Sequence, residues 1–169
     1  MALVLVGGGA RSGKSRWALE RARRTWRSGG RLIYIATAQA LDDEMRDRIA
    51  HHRSERGAEF VTVEEPLELA DAIRSAAGSA IVVDCLTLWL SNLMLGARDI
   101  DAAMSAAVAA AGESPVELIL VTNEVGCGIV PENALAREFR DRAGAMNQRF
   151  AEAANEVYWM VFGQPLRVK

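Results

Sequence analysis

Lysine, histidine and cysteine are all scarce in this chain of 169 residues. There are only two lysines, Lys14 and Lys169, against eighteen arginines. The two cysteines, Cys85 and Cys127, are too few for a disulfide framework, and no cysteine or histidine spacing is typical of a zinc site. These absences exclude the small folds that disulfides or zinc ions hold together, so a hydrophobic core must stabilise this one.

Strong net charge and long apolar runs are missing as well. The formal net charge of −2 at pH 7 gives no electrostatic reason to expect binding to nucleic acid or to an anionic membrane. No apolar stretch reaches the length of a transmembrane helix. Because the chain runs straight into an apolar segment without a signal peptide, we expect a cytoplasmic protein. Half of the residues are hydrophobic, and this composition and length predict one compact α/β domain over residues 1–169.

A segment near the N-terminus matches a known phosphate-binding pattern. Residues 8–15 fit G-x-x-x-x-G-K-[ST], the loop that binds nucleotide phosphates. An apolar run over 2–6 precedes the loop and helix-forming residues follow it, which is the strand–loop–helix context that the pattern requires. Glycines let consecutive backbone N–H groups turn toward one anion, and the following helix N-terminus adds partial positive charge. We therefore predict a nucleoside triphosphate site with these contacts: Gly8, Gly9, Ala10, Arg11, Ser12, Gly13, Lys14 and Ser15.

Three side chains have predicted roles in the chemistry of this site. Lys14 is expected to reach the β- and γ-phosphates, and the Ser15 hydroxyl is expected to bind Mg²⁺. Because the chain otherwise avoids lysine, the one at this position strengthens the prediction. Asp84 ends an apolar strand, where P-loop enzymes place the carboxylate that holds Mg²⁺ or its water. The alternative role for Asp84 is an ordinary cap at the start of the next helix.

Apolar runs alternate with helical patterns along the rest of the chain. We predict strands over 32–36, 60–63, 80–84, 116–121 and 157–161, and an edge pairing at 166–168. Predicted helices cover 14–26, an exposed segment 42–56, a segment ending near 77, and 86–95, 102–111 and 133–153. Continuously apolar strands indicate a sheet covered by helices on both faces, and the alternation indicates a mainly parallel sheet.

Ligands of an open parallel sheet bind beyond the carboxyl ends of its strands. That rule selects the 8–15 loop, Thr37, Asp84 and the segment 122–124, and it predicts that all of them face one crevice. The only histidines, His51 and His52, lie among several arginines. A neutral imidazole beside a triphosphate can attack phosphorus and form a phosphoramidate. A lone histidine is more often a surface or core residue, so the pattern alone leaves the role of His51 open.

Eight segments follow one another along nearly the whole chain in the order of one enzyme family: 8–16, 34–37, 41–45, 49–52, 121–133, 139–141, 143–144 and 147–148. Together they resemble the bifunctional adenosylcobinamide kinase/adenosylcobinamide-phosphate guanylyltransferase of cobalamin biosynthesis. The Thr-Asn-Glu-Val-Gly segment at 122–126 and the His-His pair at 51–52 are much more specific than the phosphate loop.

The resemblance implies a RecA-like P-loop fold, commonly a homotrimer, and two successive reactions. In the first, ATP or GTP phosphorylates the hydroxyl of the aminopropanol arm of adenosylcobinamide. In the second, GMP passes from GTP to an enzyme histidine and on to that phosphate, which gives adenosylcobinamide-GDP and pyrophosphate. The resemblance places the guanylylated histidine at His51. It places further nucleotide contacts at Ala36, Thr37, Ala38, His52, Arg53, Glu64 and Asp84.

Two other functions remain to be weighed. The strand–loop–helix pattern alone fits some other small-molecule P-loop kinase equally well, although such a kinase has no need for His51. A GTP-binding switch would read guanine with N-K-x-D, which is impossible here because Lys14 and Lys169 are the only lysines. The sequence therefore favours the bifunctional enzyme.

Overall fold

A computed structural model of the chain describes residues 2–26, 30–39 and 56–169. Its strands are β1 (Leu3–Gly8), β2 (Leu32–Ala36), β3 (Phe60–Glu64), β4 (Ala80–Asp84), β5 (Glu117–Val121), β6 (Glu156–Val161) and β7 (Gln164–Arg167). They form one seven-stranded sheet in the order β3-β2-β4-β5-β1-β6-β7. Every neighbouring pair is parallel except β6 and β7, which are antiparallel. The prediction of a mainly parallel sheet is confirmed.

Five described helices pack on this sheet: α1 (Lys14–Thr25), α2 (Leu69–Ser75), α3 (Leu86–Leu95), α4 (Ile100–Gly112) and α5 (Ala134–Ala153). Successive strand residues point to opposite faces, so each apolar strand supplies two cores. Val4 and Val6 pack in a cluster with the buried side of α1, whereas Leu3 and Leu5 belong to the larger cluster that includes α2 to α5. Helices therefore cover both faces, as predicted, with α1 on one face and four helices on the other.

The predicted elements agree closely with the structure. The strands at 32–36 and 80–84 and the helix at 86–95 match to the residue. Helix α1 ends at Thr25 and α2 at Ser75, because the residues that follow, Trp26 and Ala76, have extended backbones. Residues 40–55, which carry most of the helix predicted over 42–56, lie outside the described residues. None of the helices described within 2–26, 30–39 and 56–169 combines the length and apolar character needed to cross a membrane.

An ion-pair cluster fastens α1 to the amino ends of two strands, at the edge opposite the phosphate loop. Arg21 contacts Glu117, the first residue of β5, at 2.8 Å and Glu156, the first residue of β6, at 3.0 Å. The pKa of Glu156 is lowered because the Tyr158 hydroxyl donates to it and because Arg21 lies beside it. Glu117 is buried, and its Oε2 has no hydrogen-bond partner among the described residues. Arg21 is therefore the counter-charge that this buried carboxylate depends on.

Replacing Arg21 with methionine should lower the free energy of unfolding by about 3 kcal/mol, because Glu117 would be left as a buried charge without a partner. Urea denaturation measures this change. Arg24→Met, on the exposed side of the same helix, is the matched control and should change stability by less than about 0.5 kcal/mol. Adding Glu117→Gln to the Arg21 variant should recover part of the loss. Equal stability of the Arg21 and Arg24 variants would contradict this account.

Candidate nucleotide-binding site

The loop after β1 turns sharply into α1. The backbone is left-handed at Arg11 and Gly13, with φ values of 52° and 91°. Gly13 is the N-cap of α1, and no side chain caps the helix there. The N–H groups of the first turn are therefore not bound by a capping side chain, and they can bind an anion. Gly8 allows a close approach, since a Cβ on it would lie 3.0 Å from Ser12 Oγ and 3.1 Å from the carbonyl oxygen of Met160.

Lys14 is buried beneath this loop, with 6% of its surface exposed. Its Nζ donates to the carbonyl oxygen of Gly9 at 2.6 Å and to Ser12 Oγ at 3.4 Å. Burial lowers the pKa of Lys14, while Cys85 and Asp84 act to raise it. The ammonium therefore lies within electrostatic reach of the end of β4, in a place where little water competes for it.

Asp84 is held in place by a tyrosine on the neighbouring strand. The Tyr34 hydroxyl donates to Asp84 Oδ2 at 2.8 Å, and the Arg56 guanidinium lies 3.8 Å from the centroid of the Tyr34 ring. Burial and then Asp84 raise the pKa of Tyr34, so the hydroxyl keeps its proton and remains a donor. Asp84 does not cap α3, because the N-cap is Cys85 and no side chain bonds to the helix start. The carboxylate is thus fixed through one oxygen, and the other can bind a cation or its water.

Thr37 holds the ends of β2 and β4 together. Its Oγ1 donates to the Cys85 carbonyl oxygen at 2.8 Å and accepts from the Cys85 N–H at 2.9 Å. Its own N–H donates to the Asp84 carbonyl oxygen at 3.1 Å, and its carbonyl oxygen accepts from Asn92 Nδ2 at 2.8 Å. All the polar groups of Thr37 therefore have protein partners. Thr37 and the flanking residues Ala36 and Ala38 stay predicted nucleotide contacts, because a hydroxyl or carbonyl oxygen with one partner can accept a second hydrogen bond.

A second set of hydrogen bonds joins the end of β5 to α3 and α5. The Thr122 hydroxyl donates to Asn147 Oδ1 at 2.6 Å, and the Asn123 N–H donates to Thr87 Oγ1 at 2.7 Å. Asn147 Nδ2 returns a bond to the Asn123 carbonyl oxygen at 3.2 Å. Pattern analysis did not identify this structural role of Asn147. The sequence feature that could have indicated this role is the position of Asn147 in α5, directly after Met146 of the apolar stripe.

The loop that follows β5 lies against the phosphate loop. The Glu124 N–H donates to the carbonyl oxygen of Gly8 at 3.1 Å, while Glu124 Oε1 accepts from the Gly126 N–H at 2.5 Å. Arg140 of α5 donates to the Gly126 carbonyl oxygen at 3.0 Å. These bonds connect the phosphate loop to both β5 and α5.

Strand order decides how far each predicted residue lies from the phosphate loop. Neighbouring strands are spaced by about 4.8 Å, so β4 with Asp84 lies about 10 Å from β1, on the far side of β5. By the same spacing β2, with Ala36, lies about 14 Å away, and Glu64 at the end of edge strand β3 lies about 19 Å away. All of these residues lie on one side of β1. The remaining predicted residues, His51, His52 and Arg53, lie outside the described residues.

The possible metal ligands at this site are few, and they suit an ion that binds to only one or two protein atoms. Ser15 and Asp84 offer hard oxygen atoms, which suit Mg²⁺. Within 2–26, 30–39 and 56–169, no three or more His, Cys, Asp or Glu residues form a group that could hold a metal. Mg²⁺ normally binds through one or two protein oxygens together with substrate phosphates and water. The residues present therefore fit Mg²⁺ delivered with a nucleotide.

Comparisons with known proteins match nearly the whole chain to one enzyme family. Residues 4–168 match the family model described as cobinamide kinase / cobinamide phosphate guanyltransferase. The bifunctional adenosylcobalamin biosynthesis protein CobP of Pseudomonas aeruginosa is 47% identical, over 98% of this chain and 96% of that protein. The bifunctional adenosylcobalamin biosynthesis protein CobU of Salmonella typhimurium is 43% identical, over 99% of both chains.

Solved structures show the fold. The flagellar accessory protein FlaH of Methanocaldococcus jannaschii aligns with a TM-score of 0.56 at 10% identity, over 99% of this chain and 78% of its own. A KaiC-like protein of Pyrococcus horikoshii aligns with a TM-score of 0.54 at 14% identity, over 94% and 70%. The fold is thus that of P-loop NTPases, as the sequence predicted.

Replacing Tyr34 with phenylalanine should raise the Mg²⁺ concentration needed for nucleotide binding by about tenfold, the usual effect of losing a group that orients a metal ligand. Titration of a fluorescent GTP analogue at a series of Mg²⁺ concentrations measures this. Tyr158→Phe is the matched control, because its hydroxyl binds Glu156 at the opposite edge of the sheet. The same Mg²⁺ dependence in both variants would refute a positioning role for Tyr34.

Proposed function

This chain belongs to the cobinamide kinase / cobinamide phosphate guanyltransferase family, and we propose that it carries out both reactions of that family in one domain over residues 1–169. It phosphorylates adenosylcobinamide with ATP or GTP, and it then transfers GMP from GTP to give adenosylcobinamide-GDP and pyrophosphate. The observation that supports this most is the uncapped phosphate loop, with Lys14 buried beneath it and Asp84 at the same edge of the sheet, one strand beyond β5.

In the phosphoryl transfer, the hydroxyl oxygen of the aminopropanol arm forms a bond to the γ-phosphorus. The bond from that phosphorus to the β–γ bridging oxygen breaks, the nucleoside diphosphate leaves, and the hydroxyl proton is released. Lys14 and the N–H groups at the start of α1 stabilise the charge that develops on the transferred group. Mg²⁺, when bound by Ser15 and Asp84, would neutralise charge on the β- and γ-phosphates.

In the guanylyl transfer, a neutral His51 attacks the α-phosphorus of GTP, a P–N bond forms and pyrophosphate leaves. A phosphate oxygen of adenosylcobinamide phosphate then attacks the same phosphorus, and the P–N bond breaks. The assignment of His51, with His52 and Arg53 as nucleotide contacts, is supported by the family resemblance. Further proposed nucleotide contacts on the Asp84 side of the loop are Ala36, Thr37, Ala38 and Glu64.

Two properties of the family complete the proposal. We expect a homotrimer, in which a neighbouring subunit can help to complete the site. We also expect a cytoplasmic location, where nucleoside triphosphates are available as substrates.

Replacing Lys14 with alanine should lower the rate of cobinamide phosphorylation by roughly 10²- to 10³-fold, as expected when a charge that stabilises the transition state is removed. A steady-state assay of adenosylcobinamide phosphate formation measures this. Lys169→Ala removes the other lysine of the chain and should leave the rate unchanged. A folded Lys14 variant with near-native turnover would refute the assignment, and circular dichroism establishes that the variant is folded.

Incubation with GTP labelled at the α-phosphate, without corrinoid, should leave a stable label on the protein. His51→Ala should abolish both the label and guanylyl transfer, whereas cobinamide phosphorylation should continue because that step needs no histidine adduct. His52→Ala is the matched control and should keep its label. The P–N bond should survive alkali and break in mild acid, unlike a phosphate ester on Ser or Thr. A label that persists in His51→Ala, or that only His52→Ala removes, would contradict the assignment.

A further inference from the structure

The hairpin that joins β6 to β7 lies beside the phosphate loop. β1 pairs with β6 so that Gly8 faces Met160, and the hairpin begins just beyond that point. Its two-residue turn consists of Phe162 and Gly163, because Val161 pairs with Gln164. A Cβ placed on Gly13 would lie 3.6 Å from the Cα of Gly163. The turn is therefore within contact distance of Gly13, the N-cap of α1.

Phe162 has an unusual position in this turn. Its side chain is 98% exposed, and its backbone is left-handed with a φ of 50°. Gly163 is also left-handed, with a φ of 79°, so the turn is one in which Asn-Gly is the favoured pair. A bulky residue at positive φ is strained. Because the Phe162 side chain is exposed, packing within the chain does not offset this strain. Neither turn preference nor core packing explains a phenylalanine here.

Phe162 and Asp84, the proposed Mg²⁺ ligand, lie on opposite sides of the phosphate loop. Asp84 lies two strands from β1 in one direction, beyond β5, while β6 and β7 lie in the other direction. A phosphoryl donor must turn its β- and γ-phosphates and Mg²⁺ toward Asp84 and Ser15. A nucleoside end that extends away from Asp84 would lie toward β6 and the tip of the hairpin. Arg16, whose guanidinium nitrogen lies 3.9 Å from Cβ positions built on both Gly13 and Gly163, borders the same space.

We propose that Phe162 is a stacking platform for the base of the phosphoryl-donor nucleotide. An exposed aromatic ring stacks on any nucleobase through its π-face, without hydrogen bonds that read the base. This inference rests on the proposed function, because it needs a nucleotide in the phosphate loop. It adds a base subsite on the β6–β7 side, separate from the nucleotide contacts proposed on the β2–β4 side.

Binding of the β,γ-imido analogue of ATP and of inorganic tripolyphosphate, measured by calorimetry with Mg²⁺, tests the inference. Phe162→Asn should weaken binding of the ATP analogue by roughly 5- to 100-fold, the usual range for loss of one base–aromatic stack. Tripolyphosphate has no base, so its affinity should stay within about twofold of the native value. Because asparagine suits the turn, the variant should be at least as stable to urea as the native protein.

Leu166→Asn is the matched control, since it removes an exposed apolar side chain from the same hairpin away from its tip. It should leave both affinities unchanged. Phe162→Trp should keep the native affinity and gain a fluorescence change on binding the ATP analogue, which tripolyphosphate does not produce.

The outcomes separate this inference from the proposed function. If the native protein binds neither probe, the proposed function fails and the base subsite fails with it. If the native protein binds both and Phe162→Asn binds the ATP analogue equally well, the base subsite alone is wrong. If Phe162→Asn changes the sedimentation coefficient without changing affinity, Phe162 is a contact between copies of the chain, and the inference is overturned.

Discussion

Parallel pairing of β1 with β5, and of β5 with β4, sets the distance between the phosphate loop and Asp84. Because parallel strands bring their carboxyl ends to one edge, loop and carboxylate meet there. One intervening strand separates them by about 10 Å, which leaves room for phosphate groups and a hydrated ion between Lys14 and Asp84. Direct pairing of β1 with β4 would halve that distance. The proposed site depends on this spacing, because Lys14 and Asp84 must act on the same phosphate groups from opposite sides.

Polar side chains hold this edge rigid. Thr37 fastens β2 to β4, and Thr122 with Asn147 fastens β5 to α5. Both threonines are buried and their hydroxyl groups are hydrogen-bonded, so these contacts favour a single arrangement. Tyr34 extends the same network to the Asp84 carboxylate. Groups fixed before a ligand binds need little reorganisation as charge develops, which is the property that phosphoryl and nucleotidyl transfer require.

The asymmetry of the sheet gives the phosphate loop two different neighbourhoods. On the β5–β4–β2–β3 side lie Asp84, Thr37 and Glu64, at the carboxyl ends of their strands. On the β6–β7 side lies an antiparallel hairpin that presents Phe162. The base subsite proposed at Phe162 is therefore on the opposite side of the phosphate loop from the nucleotide contacts proposed near Asp84.

The sequence alone determined the local elements and the phosphate loop. The strands at 32–36 and 80–84 and the helix at 86–95 were predicted to the residue, and Lys14 and Asp84 were selected by their positions after strands. Only the tertiary structure decided the strand order, the pairing of Tyr34 with Asp84 fifty residues away, and the approach of Gly163 in the β6–β7 turn to Gly13. The reason is physical: periodicity and turn chemistry act over a few residues, whereas the order of strands in a sheet follows from packing between residues far apart in the chain, which no local pattern carries.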